Sequence, residues 1–307
     1  MRQRVFVVLA AAVLLASCGT ETAEITTETA ETEVKISKPP ETKIRETEPP
    51  ETETQSETEE APLPELVLVD EAGVRITTTG AVENRSYGPA LKLLIENNSG
   101  IDLTVQSRNA SVNGCMTETL LSADVVNGKK AYDWLAFDMD DLQKYGIDYL
   151  AWLEFSFHIF TSEGWDTYLD TEPIVLSSAD ADTYKPQEIT GIDLFHGEGF
   201  RAMVIGYTQS GLSDRPGIDV YLENNYDVPI TVQVRDVSVN GFMADALISS
   251  EIMPGKNAID KIKLSQAELN EIGITSIEEM EFYFHVFDSD TWDTIVDTEP
   301  IVVKFDS

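Results

Sequence analysis

The stretch Leu153-Glu154-Phe155-Ser156-Phe157-His158-Ile159-Phe160 decides the fold. Leu153, Phe155, Phe157 and Ile159 alternate with Glu154, Ser156 and His158, which is the period of an extended strand with one apolar face. The same pattern returns 127 residues later, where Phe284-His285-Val286-Phe287 repeats Phe157-His158-Ile159-Phe160. At the same offset Glu96-Asn97-Asn98 recurs as Glu223-Asn224-Asn225, and Val112-Asn113-Gly114 as Val239-Asn240-Gly241. Trp165-Asp166-Thr167 recurs as Trp292-Asp293-Thr294, and the run Asp170 to Val175 as Asp297 to Val302. A gapless offset of this length means duplication of a whole domain rather than a short-repeat solenoid.

Working outward, Leu91, Leu93 and Ile95 alternate with Lys92, Leu94 and Glu96, matching Ile218, Val220 and Leu222 in the second copy. Leu103 and Val105 continue the burial pattern while Thr104, Gln106 and Arg108 face away. Asn113-Gly114 and Asn240-Gly241 are hairpin signals, because Asn-Gly accepts the left-handed dihedrals of tight turns. A last short strand follows Pro173. One short helix interrupts each copy. Ser265-Gln266-Ala267-Glu268 has capping-box spacing, with Leu269 and Ile272 as its apolar side and Gly273 at its end; the first copy offers Asp138 to Tyr145 and then Gly146. About seven short strands per copy predict an all-β, antiparallel sandwich. The expected boundaries are 65–178 for module 1, 179–188 for a linker and 189–307 for module 2.

The residues before the modules are of another kind. Met1-Arg2-Gln3-Arg4, an apolar run from Val5 to Leu15 and then Ala16-Ser17 read as an export signal over residues 1–17, too short to span a bilayer. Leu15-Ala16-Ser17-Cys18 resembles the lipobox of bacterial lipoproteins. That resemblance implies cleavage before Cys18 and its modification with palmitate-class acyl chains, two of which suffice for stable anchoring. Residues 18–64 are rich in Thr, Glu and Pro, with 13 Glu between Thr20 and Pro62 and no aromatic residue, a composition expected to be a disordered, extended stalk. Fully extended, it would reach about 150 Å.

Each module also resembles the immunoglobulin-like domains of Gram-positive lipoproteins and of a mycobacterial secreted antigen. The residues carrying this are Glu96-Asn97-Asn98-Ser99, Val112-Asn113-Gly114 and the Gly128-Lys129 turn. The resemblance implies two tandem immunoglobulin-like β-sandwiches and no particular reaction.

Signatures of catalysis are absent: no nucleophile elbow, no phosphate loop, no His-Glu-x-x-His and no paired-cysteine motif occurs. The recurring polar row is Glu154 with His158 and Glu281 with His285, but residues four apart on a strand are roughly 13 Å apart, too far for direct proton transfer or a shared metal. A half-exposed structural histidine is the favoured reading. Asp166, Asp170 and Glu172, with Asp288, Asp290, Asp293, Asp297 and Glu299 in the second copy, are candidate ligands for a structural calcium ion. Trp165 and Trp292 are expected to cap the core. Trp134 and Trp152 occur only in the first copy, opposite Lys261 and Glu279, where they either form a binding platform or fill module-specific packing.

Cys115 has no second module cysteine to bond, and Phe242 stands in its place in the second copy, so it is expected to be a small buried hydrophobe with no disulfide-linked partner. The net charge of −34 disfavours nucleic acid and anionic lipid headgroups. These readings converge on a non-enzymatic protein anchored to the outer face of a cell membrane, bound to the lipid bilayer through Cys18. Its modules would bind a protein or envelope component. The alternative is an extracytoplasmic ligand- or ion-binding sensor or carrier subunit.

Overall fold

The computed structural model describes residues 65–82, 86–179, 181–209 and 215–305, together with the backbone of 32–36. The export signal, Cys18 and nearly all of the 18–64 stretch lie outside the described residues. Within that stretch, expected to be disordered, Thr32–Ile36 is strand β1. Two compact units contain the modules, one covering residues 50–187 and the other 188–307, the latter joined by the segment that carries β1.

Module 1 runs β2 (Leu66–Glu71), β3 (Val74–Val82), β4 (Ala90–Asn97), β5 (Leu103–Val112), β6 (Cys115–Met116), β7 (Thr119–Leu120), β8 (Ser122–Val125), β9 (Lys129–Phe137), α1 (Met139–Lys144), β10 (Trp152–Thr161), β11 (Thr167–Asp170) and β12 (Ile174–Ser177). One sheet has the order β2-β3-β4-β9-β7. In the other, β10 is central, pairing β5 on one side and both β11 and β12 on the other, while β5 also takes β6 and β8. Leu91, Leu93, Ile95 and Leu135 from the first sheet pack with Leu103, Val105, Phe155, Phe157 and Ile159 from the second in one core. The module is therefore an immunoglobulin-like antiparallel sandwich, as its alternating runs predict.

Module 2 repeats the plan with β13 (Ile192–His196), β14 (Phe200–Thr208), β15 (Gly217–Asn224), β16 (Ile230–Val239), β17 (Phe242–Met243), β18 (Ala246–Leu247), β19 (Ser249–Ile252), β20 (Asn257–Leu264), α2 (Gln266–Glu271), β21 (Glu279–Asp288), β22 (Thr294–Asp297) and β23 (Ile301–Phe305). Phe200 on β14 meets Phe284 on β21 edge-on at 5.7 Å, closing the core between its two sheets. Each module has more strands than the seven expected. The additions include two-residue bridges, too short to carry any periodicity, and the β2–β3 hairpin, whose turn at Ala72 and Gly73 uses left-handed backbone without an Asn-Gly signal.

Asparagines, two of them buried and two half-buried, hold the loops of both modules at matched positions. Asn97 is 1 % exposed; its Nδ2 donates to the carbonyls of Ile101 (2.8 Å) and Val125 (2.7 Å), and its Oδ1 accepts from Ser99. Asn224 donates likewise to Val228 and Ile252. Asn113, at φ +55°, donates to the carbonyl of Tyr149 and accepts from the amides of Ala151 and Trp152, and Asn240 does the same with Ser276, Glu278 and Glu279. The Asn-Gly turns are thus tied to the strand entry beside them as well as shaped by their dihedrals.

Both helices form where the caps predict. Asp138 accepts from the Asp141 amide, and Ser265 from the Glu268 amide. The reciprocal half of the capping box is spent elsewhere: the Glu268 carboxylate accepts the Asp245 amide, as Asp141 accepts that of Glu118. The stretch expected as a linker belongs partly to module 1. Ala181–Thr183 forms a single 3-10 turn, and the Tyr184 ring packs edge-on against Trp152 at 5.8 Å. Cys115 is half-buried rather than buried, and Phe242 in its place is exposed, because a hairpin tip has no core behind it.

Candidate functional site

The outer face of the β10 sheet carries the feature that recurs in both modules. His158 on β10 stands level with Asp170 on β11 and with Gln106 on β5, which in turn faces Ser122 on β8. His158 Nδ1 lies 2.5 Å from Asp170 Oδ1, and Gln106 Nε2 reaches toward Ser122 Oγ at 3.4 Å. Module 2 lays down the same four-strand row as Asp297, His285, Gln233 and Ser249, with the His–Asp contact at 2.6 Å. Both histidines are buried, against the expectation of half-exposure, because aromatic rings cover them.

Those rings form the second part of the site. The Phe160 ring lies 5.1 Å from His158, and Trp165 stacks on Phe160 at 5.4 Å with the planes 17° apart. In module 2, Phe287 lies 5.2 Å from His285 and Trp292 stacks on it at 5.5 Å and 16°. A register shift in the β10–β11 and β21–β22 pairs delivers each tryptophan to this face. The amide of Trp165 donates to the Thr161 carbonyl and the Thr161 amide to the Asp166 carbonyl, closing the turn; Asp288, Trp292 and Asp293 repeat these bonds.

Neither tryptophan caps the core. Trp165 is 74 % exposed and Trp292 75 %, and both have left-handed backbone, at φ +60° and +66°. That conformation costs an L-residue roughly 1–2 kcal/mol, and glycine would remove the cost. A bulky ring held there twice presents one stacked face to Phe and the other to solvent.

The row looks like an acid–base–hydroxyl series but cannot act as one. Ser122 is two strands from His158 with Gln106 between them, a separation of about 9.5 Å, beyond proton-transfer range. Glu154 and Glu281 belong to other cross-strand rows, level with Ser111 and Ser238. The calcium candidates do not converge: Asp170 and Asp297 face histidines, and Asp288 Oδ1 accepts the amides of Asp290 and Thr291 within its own turn. Among the described residues no group of three or more His, Cys, Asp or Glu is placed to hold a metal ion, Asp166, Glu172, Asp293 and Glu299 included.

Trp134 and Trp152 do not form one platform, because they lie on opposite sheets, on β9 and β10. Lys92 Nζ sits over Trp134 at 5.5 Å and over Tyr132 at 5.7 Å, and the equivalent cross-strand pair in module 2 is Asp219 with Lys261 at 3.5 Å. Trp152 is covered by Tyr184, whereas its counterpart Glu279 faces Lys304 at 3.8 Å. Module-specific packing accounts for both rings. Sequence reasoning named His158, Asp170, His285 and Asp297 but did not pair them. The 12-residue spacing shared by both copies was the available signal, since a hairpin turning at the Trp-Asp stretch brings positions 158 and 170 level.

No family model matches the chain, and no curated protein sequence does. Among solved structures, a protein of unknown function from Porphyromonas gingivalis W83 is similar at 11 % identity and a TM-score of 0.21, over 71 % of this chain and 91 % of that one. The Salmonella enterica SafA pilin in complex with the SafB chaperone is similar at 10 % identity and 0.20, over 70 % and 88 %. The CsuC-CsuE chaperone–tip adhesion subunit complex of Acinetobacter baumannii gives 11 % and 0.19, over 71 % and 92 %. Likeness at this level carries no functional argument.

Proposed function

We propose that the chain is an extracytoplasmic lipoprotein, held to a Gram-positive type of membrane through Cys18, whose modules bind a protein or cell-envelope component without catalysing a reaction. The observation that carries the binding half is the duplicated corner in which an exposed tryptophan, at strained backbone, stacks on a buried phenylalanine beside a His–Asp pair. Aromatic rings anchored on one face and open on the other supply contact area at little entropic cost, and such positions dominate binding energy in interfaces. The polar row beside each ring provides hydrogen-bonding partners of fixed position. The anchoring half rests on Leu15-Ala16-Ser17-Cys18 and the apolar run before it. Among the described residues no helix is long and apolar enough to cross a membrane.

Retention of the purified protein on isolated cell envelope tests the binding reading. Trp165→Ala/Trp292→Ala should weaken retention by about tenfold or more. Unchanged retention, with both modules folded, overturns it. Separately, Cys18→Ala should move the protein from the membrane pellet to the medium and abolish incorporation of a labelled fatty acid; a variant that stays in the pellet refutes the anchor.

A further inference from the structure

Strand β1 pairs parallel to β23, with Thr32 level with Ile301, Val34 with Val303 and Ile36 with Phe305. Among the described residues, β23 would without it be a sheet edge, a row of backbone donors and acceptors that templates strand addition. Val34 and Ile36 are the only branched aliphatic residues at strand spacing between Thr20 and Pro62. Glu33 and Lys35 between them cancel in charge, in a stretch that is otherwise strongly acidic. In β23 the residues Ile301, Val303 and Phe305 are buried and alternate with half-buried Val302 and Lys304, so Val34 and Ile36 occupy the rows of the inward positions.

The duplication supplies an internal comparison. β12, the counterpart of β23, pairs only β10 among the described residues. It ends at Ser177, and Ser178 stands where module 2 has Phe305, the residue level with Ile36. The acceptor edge is therefore a property of module 2.

We propose that the β23 edge is a strand-acceptor site whose occupant is the chain's own segment Thr32–Ile36, a releasable latch that folds the acidic stretch back onto module 2. Latched, only the residues between Cys18 and Thr32 separate the lipidation position from a folded body, a contour of about 45 Å; released, everything up to Leu66 does, about 160 Å. The reach therefore changes more than threefold without any change within the modules. The change in reach rests on the anchoring reading; the pairing does not. The attachment is only five residues long, and its acidic flanks oppose an acidic module, so added salt favours the latched state.

Two measurements on the full chain, in a Cys18→Ser/Cys115→Ala background that removes any dependence on lipidation, test the latch. Glu33→Cys with Val302→Cys places a thiol pair in register and should give an intramolecular disulfide under mild oxidation, identified by peptide mapping. Glu33→Cys with Val175→Cys, the equivalent position on module 1, should not. A Glu33→Pro/Val34→Pro variant removes two adjacent backbone donors, one of them on the side of β23, and should accelerate amide exchange over Ile301–Phe305 by about tenfold, leaving peptides from β15 and β16 unchanged. No disulfide, an intermolecular one, equal crosslinking to both modules, or unaltered exchange in the proline variant each overturns the proposal. The Cys18→Ala fractionation is independent of all these outcomes, so failure of the anchor and failure of the latch are distinguishable.

Discussion

Replacing Asn97 by Ala removes a side chain that is buried and fully engaged. Its Nδ2 bonds the carbonyls of Ile101 and Val125, and its Oδ1 accepts both the amide and the hydroxyl of Ser99. The Val125 bond is buried, and losing its donor costs about 1–3 kcal/mol; the half-exposed bonds to Ile101 and Ser99 are worth about 1 kcal/mol each. With one bond to Ile101 and two from Ser99, the sum is about 4–6 kcal/mol, a large part of the stability of a module this size. Peptide-resolved hydrogen exchange under urea reads the two modules separately, so the loss should appear across β4, β5 and β8 and leave module 2 unchanged. Asn224→Ala should cost somewhat less in module 2, because Tyr226 stands where Ser99 adds its hydroxyl bond. Asn97→Asp keeps the shape, loses both donors and aims an anion at two carbonyl oxygens, so at pH 7 it should cost at least as much. A loss below about 1 kcal/mol for Asn97→Ala, or a well-tolerated Asp, would refute the bridging role and leave only shape.

Other outcomes follow from the same geometry. Asn113→Ala loses three side-chain bonds and puts alanine at φ +55°, a destabilisation of about 2–4 kcal/mol by urea titration, whereas Asn113→Gly should recover the backbone part. Trp165→Gly and Trp292→Gly release left-handed strain and little buried area, so thermal unfolding should shift by less than about 1 kcal/mol equivalent while envelope retention falls. The Tyr87 phenol is pushed up to about 12, first by burial and then by the nearby Asp138 carboxylate. Its folded-state value lies above the ordinary 10, so its contribution is complete below pH 10 and is lost as pH rises through 12. Tyr87→Phe should flatten alkaline destabilisation in that window, measured by urea melts at pH 8 and 11.5; an unchanged slope contradicts the assignment.

Strands with one buried face were legible because period-two alternation reports burial directly, as in β4, β10 and their copies. The helices were legible through Asp138 and Ser265, whose caps are local. What escaped was whatever depends on a neighbour across the sheet. His158 reads as half-exposed from alternation alone, and is buried beside Phe160 on its own strand and Asp170 across the hairpin, with Trp165 stacked on Phe160. The same alternation assigns Trp165 no face, since it sits in a turn where the left-handed dihedral chooses its direction. The strand within the acidic stretch escaped for a related reason: average composition hid Val34 and Ile36, and their pairing partner is more than 260 residues away.

That separation has a consequence for how the chain matures. Pairings such as β13 with β14 and β14 with β15 join strands close in sequence, whereas β1 must wait for β23, the last of the described strands to be synthesised. Contacts so distant in sequence form late, after shorter loops have closed. A chain cut or misfolded anywhere in the second module leaves Thr32–Ile36 without its template and open to proteases, which favour loose, polar segments. If the anchoring proposed above holds, cleavage near residue 34 would part unfinished modules from Cys18, so pairing of this early strand would depend on completion of the last described one.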